Sequence, residues 1–107
     1  MEVVTFEPAG PGGDTAQLLG EVDGRDGCLT VINDNGHLVL VVMPENKVSY
    51  SRSGELKLFG KQYKAGDTID LGGGGSKFTR YAPEWTVPMA CQKLDPLPDL
   101  MWMVAPF

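Results

Sequence analysis

Apolar residues in this chain fall in short runs that alternate at period two and are separated by turn-forming residues. The strongest pair spans residues 28–32 and 38–43 on either side of Asn33-Asp34-Asn35-Gly36, residues that tolerate positive φ and close a hairpin. Residues 38–43 carry no charge, so this central strand is expected to be covered on both faces; a strand with one wet face would alternate with polar side chains. Upstream, residues 3–6 read as a short first strand or an ordered tail, and the Pro- and Gly-rich segment 8–14 as an irregular loop. From Thr15 a strand places Ala16, Leu18, Gly20 and Val22 on one face and Gln17, Leu19 and Glu21 on the other.

Downstream, segments 47–50, 55–59 and 62–64 read as short strands, with turns at 51–54 and at Gly60-Lys61, and Ala65-Gly66-Asp67 turns into a strand over 68–71. Gly72 to Gly75 continues that strand; consecutive glycines form strands poorly but permit the sharp bend that closing a small barrel requires. Segment 76–88 is irregular, with room for one helical turn around Phe78 to Tyr81, and 94–99 is an extended connector. In the closing strand Leu100, Trp102 and Val104 face one way and Met101 and Met103 the other. No window repeats apolar residues at helical spacing. The expectation is an all-β, OB-like barrel of about five to seven strands with core residues 15–105, residues 1–14 being a tail or edge strand.

Size and charge narrow the picture. The 107 residues make one domain, with 14 Gly and 8 Pro punctuating the runs. A net charge of −5 argues against generic attraction to nucleic acid or anionic membrane. The charge is uneven: residues 1–46 hold eight acids against Arg25 alone, and residues 47–93 hold eight of the nine bases against four acids. No apolar run is long enough to span a membrane. The N-terminus lacks the basic and apolar regions of a signal peptide, so the protein is either cytoplasmic or found without its leader.

Gly27-Cys28-Leu29, Pro44 at the end of the next strand, Ala65-Gly66-Asp67 leading into Ile69-Asp70-Leu71-Gly72-Gly73-Gly74, then Val87-Pro88-Met89-Ala90-Cys91 and Trp102 occur in that order. Together, over roughly residues 15–105, they resemble the small uncharacterised β-barrel domains of actinobacterial secreted proteins and lipoproteins. The resemblance implies a barrel and an extracytoplasmic, secreted or cell-surface location, with lipid anchoring open to the full-length form; it implies no activity. In that setting the even pair Cys28 and Cys91 is expected to be a disulfide, the alternative being two separate buried thiols in a cytoplasmic protein.

Candidate chemistry is sparse. Two distant cysteines and one histidine do not make a zinc site, and Asp67 and Asp70, three apart on a strand, point to opposite faces, so no metal or cofactor is expected. His37, beside the hairpin turn, is expected to face solvent; no nucleophile motif accompanies it, and carboxylate pairs such as Glu84 with Asp95 carry little weight among 14 acids. Gly72-Gly73-Gly74-Gly75-Ser76-Lys77 lacks the Gly-Lys-Ser/Thr order and following helix of a phosphate loop. Bases and aromatics interleave at Tyr50, Arg52, Lys57, Phe59, Lys61, Tyr63, Lys64, Lys77, Phe78, Arg80 and Tyr81, as in barrels that bind single strands, although the acidic total opposes that reading. The expected role is a non-catalytic binding or interaction module of an exported bacterial protein, an inhibitor of a cell-wall enzyme being one form. The alternative is a single-stranded nucleic-acid-binding barrel. A site is expected at a barrel mouth, with Phe78, Tyr81 and Trp85 stacking and Lys77 and Arg80 attracting an anion; the competing expectation is that these aromatics fold their own loop onto the barrel. The ligand, protein or small molecule, and the oligomeric state are left open.

Overall fold

The computed structural model describes residues 1–8 and 13–106. Among them are the strands β1 (Val4–Phe6), β2 (Ala16–Val22), β3 (Thr30–Asn33), β4 (Leu38–Pro44), β5 (Val48–Tyr50), β6 (Leu56–Leu58), β7 (Lys61–Gln62), β8 (Thr68–Lys77) and β9 (Leu100–Val104), and one short helix, α1 (Met89–Gln92). The strands β2, β3 and β4 form an antiparallel meander, β8 lies antiparallel beside β2, and β9 fits between β8, antiparallel, and β4, parallel. These five strands close into a Greek-key barrel, and β1 extends the parallel edge of β4 beyond β9. The all-β barrel expected from the pattern is therefore the architecture observed. Among the described residues no helix is long and apolar enough to cross a membrane.

Alternation decides what fills the barrel. Leu18, Val22, Val31, Val39, Val41, Met43, Ile69, Leu71 and Val104 point inward and form one buried cluster, with Leu100 and Trp102 packed against it. The opposite face of β4 is buried too: Leu40 and Val42 join Val4, Phe6, Cys28, Phe78, Cys91 and Leu94 in a second cluster outside the barrel wall. Every residue of β4 is buried, so its uncharged run marks a strand packed on both faces. The cover over its outer face is the long connection 78–99. That connection is tied down where Thr86 pairs with Thr5 of β1, where the Phe78 amide donates to the Asp99 carbonyl, and by a disulfide between Cys28 and Cys91.

The strand β8 explains two of the four glycines, Gly73 and Gly75, by their closeness to Met103 and Trp102. A Cβ on Gly73 would lie 2.0 Å from the Met103 carbonyl oxygen, and one on Gly75 would lie 2.8 Å from the Trp102 ring. Gly73 also has φ 142°, so neither position accepts a side chain. The glycines make room for the Trp102 indole, whose Nε1–H donates to the Gly72 carbonyl at 3.0 Å.

Three expectations shift. The helical turn placed around Phe78 to Tyr81 is absent, and the helix lies at Met89–Gln92, beside the disulfide. Phe78 is drawn instead into the outer cluster, where its ring meets Tyr81 edge-on at 5.2 Å. The return strand expected at 62–64 is β7 at Lys61–Gln62, because the hairpin turns one residue earlier, on Phe59-Gly60, with φ of 52° and 76°. The strand expected from residue 28 begins at Thr30, after a 3-10 turn over Arg25–Gly27. The irregular loop expected over 8–14 falls in part on residues 9–12, outside the described residues.

Candidate functional site

The barrel has two ends, and the chain finishes them differently. At the end where β4 stops and β8 starts, the intervening segment folds into the small meander β5-β6-β7. Its Leu56 and Leu58 are buried in the same cluster as the barrel lumen, with Val48 and Tyr63 packed against it. Lysines line this meander, and Lys61 sits 5.2 Å from the Tyr63 ring centroid, a cation–π distance. This end is closed.

At the other end the turn between β3 and β4 stands beside a cavity of about 410 Å³. All five barrel strands or their flanking turns line it. Leu18, Val39, Leu100 and Trp102 form an apolar floor continuous with the lumen, while Gln17, Asn33, Asp34, Asn35, Ser76 and Lys77 supply a polar rim. The rim is preorganised. Asn33 Oδ1 accepts the amides of Asn35 at 3.0 Å and His37 at 2.9 Å, which fixes the turn, and Gln17 Nε2 donates to Asp70 at 2.8 Å. The Trp102 bond to Gly72 and the glycines beside it hold the indole in place. An apolar floor under a rim of amides, a hydroxyl, one carboxylate and one ammonium can hold a small polar ligand that also has an apolar face.

The residues singled out from sequence divide between two places. Lys77 lines the mouth. Phe78 is buried in the outer cluster, and Tyr81 and Trp85 pack on the same cluster. The Tyr81 hydroxyl donates to the Cys91 carbonyl, and burial raises the Tyr81 pKa above its ordinary value. Arg80 is exposed. The structure thus gathers the three aromatics over the barrel wall, apart from Lys77. The residues that sequence reasoning missed are Gln17, Leu19, Asn33, Asp34, Asn35, Ser76 and Trp102. The turn residues had a structural signature that hid any other use, and only their convergence in space marks them.

His37 is exposed, with Nδ1 3.6 Å from Asp99 Oδ2, a carboxylate that also accepts the Leu38 amide at 3.2 Å. Among the described residues no hydroxyl or thiol is hydrogen-bonded to its ring. No group of three or more His, Cys, Asp or Glu side chains among the described residues is gathered as a metal site would be.

Among known protein families, curated proteins and solved structures, no match to this chain is found.

Proposed function

We propose that this protein is a non-catalytic binding module of an exported protein, an OB-type barrel that takes its ligand at the open mouth. The observation that carries the reading is the contrast between the ends: one is filled by Leu56 and Leu58, and the other leaves about 410 Å³ over an apolar floor with a polar rim. The OB assignment is supported by the strand order, a three-stranded meander with the fourth strand returning beside the first and the fifth closing the barrel. Export is supported by the Cys28–Cys91 bridge, since disulfides persist in oxidising compartments. The ligand class that suits the mouth is a sugar. Its C–H faces match Trp102 and Leu19, and its hydroxyls match the amide and hydroxyl groups of Gln17, Asn33, Asn35 and Ser76. Binding of single-stranded nucleic acid has less support. OB barrels bind oligonucleotides on the outer face that corresponds here to β3 and β4, and the β4 part of that face, Leu40 and Val42, is covered by the 78–99 connection and the Phe78 ring.

The test is an NMR titration of the disulfide-intact protein with N-acetylglucosamine oligomers. Shifts confined to Gln17, Leu19, the 33–35 turn, Lys77 and the Trp102 indole, with the sugar recovered uncleaved, are the expected result. Shifts that map to the meander or to the 78–99 connection would place the site elsewhere and end the mouth reading.

A further inference from the structure

Neither the core nor the mouth explains the hairpin tip Phe59-Gly60. Both residues have positive φ, 52° and 76°, in the two-residue turn joining β6 to β7. Asn-Gly is the usual solution for such a turn, because a bulky residue in the left-handed region is strained. Phe59 accepts that strain without burying its ring: it is 46% exposed and lines a surface hollow of about 340 Å³ with Lys47, Val48 and Ser49. Strained residues of this kind persist where something other than folding stability selects them.

The charge around the tip is distinctive. Residues 45–64 carry five of the nine bases and two of the fourteen acids, a net +3, which leaves −8 on the remainder of the chain. The same molecule presents a complementary surface on the outer wall of β2 and β3. A groove of about 590 Å³ there is lined by Leu19 and Ile32, with Glu21 and Asp34 among its lining residues. Leu19 is 43% exposed, and its register partner across β8 is another carboxylate, Asp70. The carboxylate of Asp23, also in the groove, is engaged by Arg25 at 3.1 Å, and that of Asp70 accepts Gln17 Nε2 at 2.8 Å while remaining exposed, so Glu21 and Asp34 are the carboxylates the groove itself presents to solvent.

We infer that this chain associates head to tail with a second copy of itself, Phe59 of one copy entering the Leu19–Ile32 groove of the next while Lys47, Lys57 and Lys61 meet Glu21, Asp34 and Asp70. Charge complementarity between the two surfaces selects a second copy over any other occupant. An aromatic anchor ringed by charge is the arrangement that concentrates binding energy at interfaces. Because the two surfaces differ, the contact is heterologous and propagates into rings or short filaments instead of stopping at a dimer. The inference does not rest on the mouth reading: Phe59, Glu21 and Ile32 are not among the residues that line the mouth, whereas Leu19 and Asp34 border both surfaces.

Sedimentation velocity at low salt, up to ~1 mM protein, reads the association, and ~1 M salt, where screening shortens to about 3 Å, reads its electrostatic part. The expected result is concentration-dependent association that high salt weakens. Phe59→Asn should weaken it by ~10-fold or more while leaving the thermal midpoint unchanged or raised, since Asn-Gly suits the turn. Glu21→Lys should weaken it equally from the other side. Mixing the two variants should restore a single 1:1 complex, because one keeps an intact groove and the other an intact tip. A protein monomeric throughout this range, association indifferent to Phe59→Asn, or a mixture that stays monomeric would overturn the inference.

Discussion

At its meander end the barrel is filled by Leu56 and Leu58, each 1% exposed, and braced nearby by the Cys28–Cys91 bridge; at its hairpin end the same five strands stop short around a cavity. The strands cannot account for the difference, since each runs through both ends. It arises from the connections. The segment between β4 and β8 is long enough to fold into three strands of its own and carries alternating apolar residues, so it buries them in the nearest opening. The turn between β3 and β4 is short, polar and satisfied by its own Asn33 side chain, so it has nothing to insert. A small barrel can thus devote one end to stability and keep the other for recognition.

Removing the brace should have the largest effect. With Cys28 and Cys91 separated by 63 positions, the double Ser variant should lose roughly 4 kcal/mol, seen as a lower urea midpoint, and should loosen the 78–99 connection in hydrogen exchange before the barrel strands. Uniform loss of protection across barrel and connection would show that the bridge supports the whole molecule equally. Next, Leu58→Ala should cost about 3 kcal/mol by opening a void at the closed end, measured by the same midpoint. At the open end the expected cost is smallest: exposed Ser76→Ala should stay within about 0.5 kcal/mol. A cost there approaching that of Leu58→Ala would erase the distinction between the ends.

The strand pattern and most element positions were legible because a half-buried strand writes its orientation directly into sequence. Leu18 and Val22 against Gln17 and Glu21, and Trp102 against Met103, fall on the faces that their alternation predicts. The uncharged run of β4 likewise foretold burial on both sides, although not what would cover it. The failures have two causes. Phe78, Tyr81 and Trp85 sit in an irregular segment with no periodicity to read, and their destination depended on an outer core formed by residues more than 30 positions away, Leu40 and Val42. The early turn at Phe59-Gly60 broke a rule of local turn chemistry, so a reading built on that rule put the turn one residue late.

By itself, then, the sequence determined the class of the protein, a small all-β chain of short strands with an acidic total and a basic middle, because alternation, turn residues and charge are local properties. Only the tertiary structure decided the closure through the parallel β4–β9 pair, the joining of Cys28 to Cys91, the plugging of one end and the convergence of Gln17, Asn33, Ser76 and Trp102 at the other. Each of these joins residues distant in sequence, and such contacts are selected by burial and steric fit across the whole chain, as the bare glycines beneath Trp102 record.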